Sequence, residues 1–85
     1  MKKHEVRGYI EGTGIIAAVP VYSADDALFA AAAVASSGIP VVEITLTVPQ
    51  ATKVIAHLLK TMPGVVVGAG GAANAAMAQE CIDAY

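Results

Sequence analysis

The stretch Val41-Val42-Glu43-Ile44-Thr45-Leu46-Thr47 (VVEITLT) reads as a buried strand with a carboxylate in its middle. Its β-branched residues suit a pleated, packed surface, whereas an acidic side chain in such surroundings is costly unless something pairs or uses it. Alternation along a strand sends Val42, Ile44 and Leu46 to one face and Val41, Glu43, Thr45 and Thr47 to the other. The first set is a wall for helices to pack on. The second grows polar toward the C-terminal end of the strand, where ligands bind in open α/β sheets and in (β/α)8 barrels. A solvent-facing sheet edge or an ion pair would also account for Glu43. Against these, parallel sheets normally have both faces covered, which makes an inward carboxylate a candidate site residue.

Outward from this stretch, the chain alternates short apolar strands with alanine-rich helical segments. Gly14 to Val21 (GIIAAVPV) predicts a first strand. Ser23 follows as an N-cap, with Asp25 and Asp26 in the first turn favouring the helix dipole. That helix should run to about Ser37 and stop at Gly38. On the other side, Pro49 introduces a helix over QATKVIAHLLKTM that Pro63-Gly64 ends. There Ala51, Val54, Ile55, Leu58, Leu59 and Met62 recur at helical spacing, opposite Gln50, Lys53, His57 and Lys60. Val65 to Val67 predicts a third strand, Asn74 an N-cap, and AAMAQECIDAY a further helix. Lys3 to Gly12, with Val6, Tyr9 and Ile10 at helical spacing, predicts a helix ahead of the first strand that caps one end of the sheet. Repeated strand and helix units at this spacing imply right-handed crossovers and a parallel sheet, an α/β fold.

Composition narrows the function classes. Hydrophobic residues are 56% of the 85 and charged residues 14%, more apolar than a small free-standing domain usually is. Either most of the chain is interior, or part of its surface expects covering. A formal charge of −2 with few aromatics offers no basic patch, which argues against nucleic acid as a partner. Cys81 stands alone, which fits a reducing compartment and a buried helix thiol. The N-terminal MKKHEVRGYIEG lacks the apolar run of a signal peptide. The longest apolar passage, residues 27–42, is broken by Ser, Gly and Pro and is too short for a membrane span. A cytoplasmic protein with no membrane partner is expected.

Gly68-Ala69-Gly70-Gly71-Ala72-Ala73-Asn74, between the third strand and its helix, matches G-x-G-x-x-G/A and could seat a phosphate. A dinucleotide site also calls for an acidic residue about 20 positions later, beyond Tyr85. Glycines that let a strand turn tightly into a helix near a ligand explain the segment equally. Lys2, Lys3, Lys53 and Lys60 read as solvated, His57 as a surface residue, and no cluster has metal-ligand spacing.

Taken together, GIIAAVPVYSADDALFAAAAVASSGIPVVEITLTVPQA and VVVGAGGAANAAMAQECIDA resemble the 2-keto-3-deoxy-6-phosphogluconate aldolase family, which includes the 4-hydroxy-2-oxoglutarate aldolases. The most specific parts are the S-A-D-D-A helix start, G-I-P-V-V-E-I-T-L-T-V-P with the family's strand glutamate, and V-G-A-G. The resemblance implies a TIM (β/α)8 barrel that cleaves a 2-keto-4-hydroxy acid to pyruvate and an aldehyde without metal or other cofactor. A lysine forms a Schiff base with the keto group and serves as electron sink. Glu43 would be the general acid/base, and Thr45, Thr47, Gly70 and Gly71 would lie around the keto-acid substrate. Full-length members resemble homo-oligomers, specifically trimers.

The sequence also departs from the family. Its Schiff-base lysine would lie on a later strand, beyond Tyr85. Pro20 stands where an arginine often follows the first strand, and Gly71 replaces the threonine of G-A-G-T that would touch the pyruvate portion. Thr47 falls where members carry either arginine or threonine. On this reading residues 1–85 are a helix and three β/α units from the N-terminal part of the barrel, roughly two-fifths of it, inactive alone. Two alternatives compete: a small nucleotide- or phosphate-binding module built on Gly68 to Asn74, and a non-catalytic half-barrel that self-associates to hide its edges.

Overall fold

A computed structural model of the chain describes residues 2–19 and 21–85. The elements run α1 (Lys3–Thr13), β1 (Ala17–Val19), α2 (Ala24–Ser36), β2 (Val41–Thr45), α3 (Ala51–Thr61), β3 (Val66–Gly70) and α4 (Ala75–Ala84). The three strands form one sheet in the order β1-β2-β3, parallel throughout. Val42 lies between Ala17 and Val67, Glu43 between Ala18 and Gly68, and Ile44 between Val19 and Ala69. The predicted α/β class with parallel β/α units is what folds.

The two faces of β2 separate as alternation requires. Val42 and Ile44 are fully buried in a core with Val19, Ala27, Ala31, Ile55 and Leu58, so α2 and α3 cover that face. Each of the Val, Ile and Leu side chains contributes about 1.5–3 kcal/mol by leaving water. The stripe expected on α3 is the one that packs: Ala51, Val54, Ile55 and Leu58 are buried, while Lys53, His57 and Lys60 are exposed. Cys81 is buried in α4, as its neighbours suggested.

Caps set the helix limits. Ser23 Oγ accepts from Asp26 N at 3.1 Å and starts α2; Asn74 Oδ1 accepts from Met77 N at 2.9 Å and starts α4. Gly38, at φ 93°, takes the chain out of α2 and into β2. α3 begins one residue later than predicted, after Gln50 at φ 58°.

Three strand limits differ from expectation. β1 spans only Ala17–Val19, not Gly14 to Val21, because Gly14 is spent as the C-cap of α1, its N–H donating to Ile10 O, and pairing with β2 starts at Ala17. Pro20 lies outside the described residues. β2 ends at Thr45, not Thr47: Val48 N bonds back to Thr45 O at 3.0 Å, folding Leu46 and Thr47 into a turn. β3 runs on through Gly70, past Val67, because the β2 ladder continues to Thr45 opposite Gly70 and overrides the weak strand preference of glycine. α1 matches its predicted span to within a residue. Its Val6 and Ile10 lie at the N-terminal end of the sheet's Glu43 face, over a cavity they share with Val41 and Val66.

Candidate active site

Glu43 is half-buried at the middle of β2, on the face of the sheet opposite the α2–α3 core, with its carboxylate reaching toward Gly70 at the C-terminal end of β3. Its neighbours explain why a carboxylate fits there. Across the ladder stands Gly68, and diagonally onward is Gly70, both without side chains. The carboxylate lies over Gly70: a Cβ built on that glycine would fall 3.0 Å from Glu43 Cγ and closer still to Cδ and Oε1. Among the described residues the carboxylate has no hydrogen bond or ion pair to another side chain. No buried polar atom is left unsatisfied either, so its oxygens face solvent and have free accepting capacity.

Thr45 and Thr47 continue the polar row. Thr45 Oγ1 donates to Val19 O at 3.3 Å, tying β2 to β1, and lies 3.0 Å from Thr47 Oγ1. The turn at residues 46 and 47 therefore does not remove Thr47 from the row. It swings the hydroxyl back beside Thr45, while Leu46 packs toward the helix core. Leu46 N donates to Gly70 O at 2.9 Å, so the backbone at Gly70 also fixes the end of the strand that carries Thr45. Gly71 is next along the chain, exposed, with φ 82° and open space where a side chain would be. The structure thus brings Glu43, Thr45, Thr47 and Gly70 together at one rim and leaves Gly71 at its outer edge.

Below Glu43, on the α1 side, lies a cavity of about 550 Å3 lined by Val6, Ile10, Val41, Val66 and Tyr85. Tyr85 had no role in the sequence reading. Although 59% of the residue is exposed, its hydroxyl is turned in to donate to Val67 O on β3. Burial, and secondarily the Cys81 thiol, pushes its pKa above the ordinary tyrosine value. The only signal for this was the four-residue spacing between Cys81 and Tyr85, which sets both on one helix face.

Chemically, the rim offers one accessible carboxylate, two hydroxyls and glycine backbone, a set suited to proton transfer on a small polar ligand. It offers no amine: Lys2, Lys3, Lys53 and Lys60 are all exposed on α1, on α3 or beside α1. The Gly68–Asn74 segment is poorly suited to a phosphate. Asn74 already caps α4, and an anion near Gly70 would meet the Glu43 carboxylate.

Among the described residues no helix is long and apolar enough to cross a membrane. No curated protein matches the chain. The family model described as "Aldolase: KDPG and KHG aldolase" matches residues 6–84, which takes in all three strands, α2 to α4, α1 from Val6 onward and the whole Glu43 rim. The chain belongs to the KDPG and KHG aldolase family.

Proposed function

We propose that this chain supplies the acid/base side of a Schiff-base aldolase site that cleaves a 2-keto-4-hydroxy acid to pyruvate and an aldehyde. The observation that carries the reading is the Glu43 carboxylate, half-buried yet free to accept, on the face opposite the α2–α3 core and beside the Thr45–Thr47 hydroxyl pair. The amine is assigned to a lysine outside these residues, since Lys2, Lys3, Lys53 and Lys60 are all exposed, on or beside α1 and on α3, and none lines the cavity beside Glu43. That amine adds to the C2 carbonyl, and Glu43 delivers the proton with which the carbinolamine loses water. Glu43 then takes the proton of the C4 hydroxyl as the C3–C4 bond breaks and its electrons flow into the iminium. Protonation of the resulting enamine at C3, and hydrolysis, release pyruvate. Thr45 and Thr47 orient the keto-acid by hydrogen bonding.

Two measurements test this. In a polypeptide that contains the chain and traps pyruvate with borohydride, E43Q should still form the adduct but exchange the C3 hydrogens of pyruvate about 10²–10⁴-fold more slowly. Exchange at the parental rate would overturn the role of Glu43. The 85-residue chain alone should form no adduct; an adduct on Lys53 or Lys60 would overturn the assignment of the amine to another segment.

A further inference from the structure

We propose that Gly70 is a positioning residue for Glu43: the absence of its Cβ creates the space that holds the carboxylate at the rim. The proposal rests on the acid/base reading of Glu43 and adds what sets that group's geometry. Three observations separate Gly70 from the other glycines. Its backbone is outside the left-handed region, which among the described glycines only Gly14, Gly38 and Gly71 occupy, so an alanine there meets no conformational penalty. A Cβ there would nevertheless overlap Glu43 Oε1 and crowd Cδ and Cγ, whereas one on Gly68 would only touch Val42 O at 4.0 Å. The requirement for glycine is therefore a requirement for this one carboxylate.

The remaining observation concerns rigidity. Gly70 O accepts from Leu46 N, and Gly70 is the last pair of the β2–β3 ladder, opposite Thr45. The platform under the carboxylate is thus pinned to the strand that bears it, and neither can slide without breaking the ladder. A carboxylate resting against a glycine Cα receives at most weak C–H donation. Its position is held by shape, and its strong accepting capacity stays available for a substrate proton.

The test uses the 85-residue chain with Glu43 labelled with 13C at the carboxyl. The wild type should show a nuclear Overhauser contact between the Glu43 Cγ protons and the Gly70 Cα protons. G70A should lose that geometry: the Glu43 carboxyl resonance shifts and the protein is destabilised. The destabilisation should shrink in an E43A background, and E43D, with an acid one methylene shorter, should partly restore the stability of G70A. If G70A fails to fold, a folded E43A/G70A double variant carries the same conclusion, and absence of the wild-type contact overturns it. G70A with an unmoved carboxyl resonance, or equally destabilised with and without Glu43, overturns it as well. None of these readouts involves pyruvate, so their failure is distinguishable from failure of the acid/base assignment, which proton exchange reports.

Discussion

Gly71 follows Gly70 directly, and the two lack a side chain for opposite reasons. At Gly70 the backbone would accept any residue and the space would not; at Gly71 the space is open and φ is 82°. Gly71 stands where the aldolases it resembles commonly carry threonine, a β-branched residue that tolerates positive φ poorly. Gly71→Thr should therefore destabilise the chain by about 1–3 kcal/mol, seen as a lower urea midpoint with an unchanged slope. A G71T protein as stable as the parent would mean that the turn relaxes to negative φ. That outcome would restore a hydroxyl to the rim beside Glu43.

At the scale of elements, the parts legible in the sequence were those fixed by periodicity and caps. The α3 stripe, the Ser23 and Asn74 caps, and the division of β2 into an apolar and a polar face followed from residue type and spacing. What was not legible depended on pairing partners. No local signal shows that Gly68-Ala69-Gly70 is strand, because the ladder to β2 makes it so. Alternation put Thr47 on the face of Thr45, but did not show that a turn at Leu46 rather than a continued strand brings the two hydroxyls together. The close approach of Glu43 to Gly70 was hidden for the same reason: the residues are far apart in sequence and meet only through register.

The bond from Tyr85 to Val67 O was equally hidden, and it joins α4 to the outer strand of the sheet. Burial first, and Cys81 second, raise the pKa of Tyr85 above 10.0, so the folded state favours the protonated phenol that donates this bond. A raised folded pKa means the stabilisation is full below the unfolded value and is lost as pH rises through the folded one. Urea midpoints measured from neutral to strongly alkaline pH should fall more steeply above about pH 10 for the wild type than for Y85F. Parallel curves for the two proteins would show that the phenol contributes nothing to the linkage.

For the whole molecule, three parallel strands leave a topological remainder. A sheet loses its edges only by closing, and about eight strands close around a core of side chains. Here β1 and β3 are both edges. They are unequal: the hydroxyl of Tyr85 reaches the outer strand at Val67, whereas β1 is approached by the exposed side chains of Ile15 and Ile16. An apolar segment leading into an edge strand is a template for pairing with another strand, so association at the β1 edge is expected of the isolated chain. Ile15 is the informative position, because it is 56% exposed and does not line the cavity under α1 that Ile16 shares. Ile15→Lys places a charge at the edge without touching the buried core, and should weaken self-association in sedimentation by about tenfold, equivalent to ~1.4 kcal/mol. Unchanged association with an intact circular dichroism spectrum would move the contact to the β3 edge or to the Glu43 face.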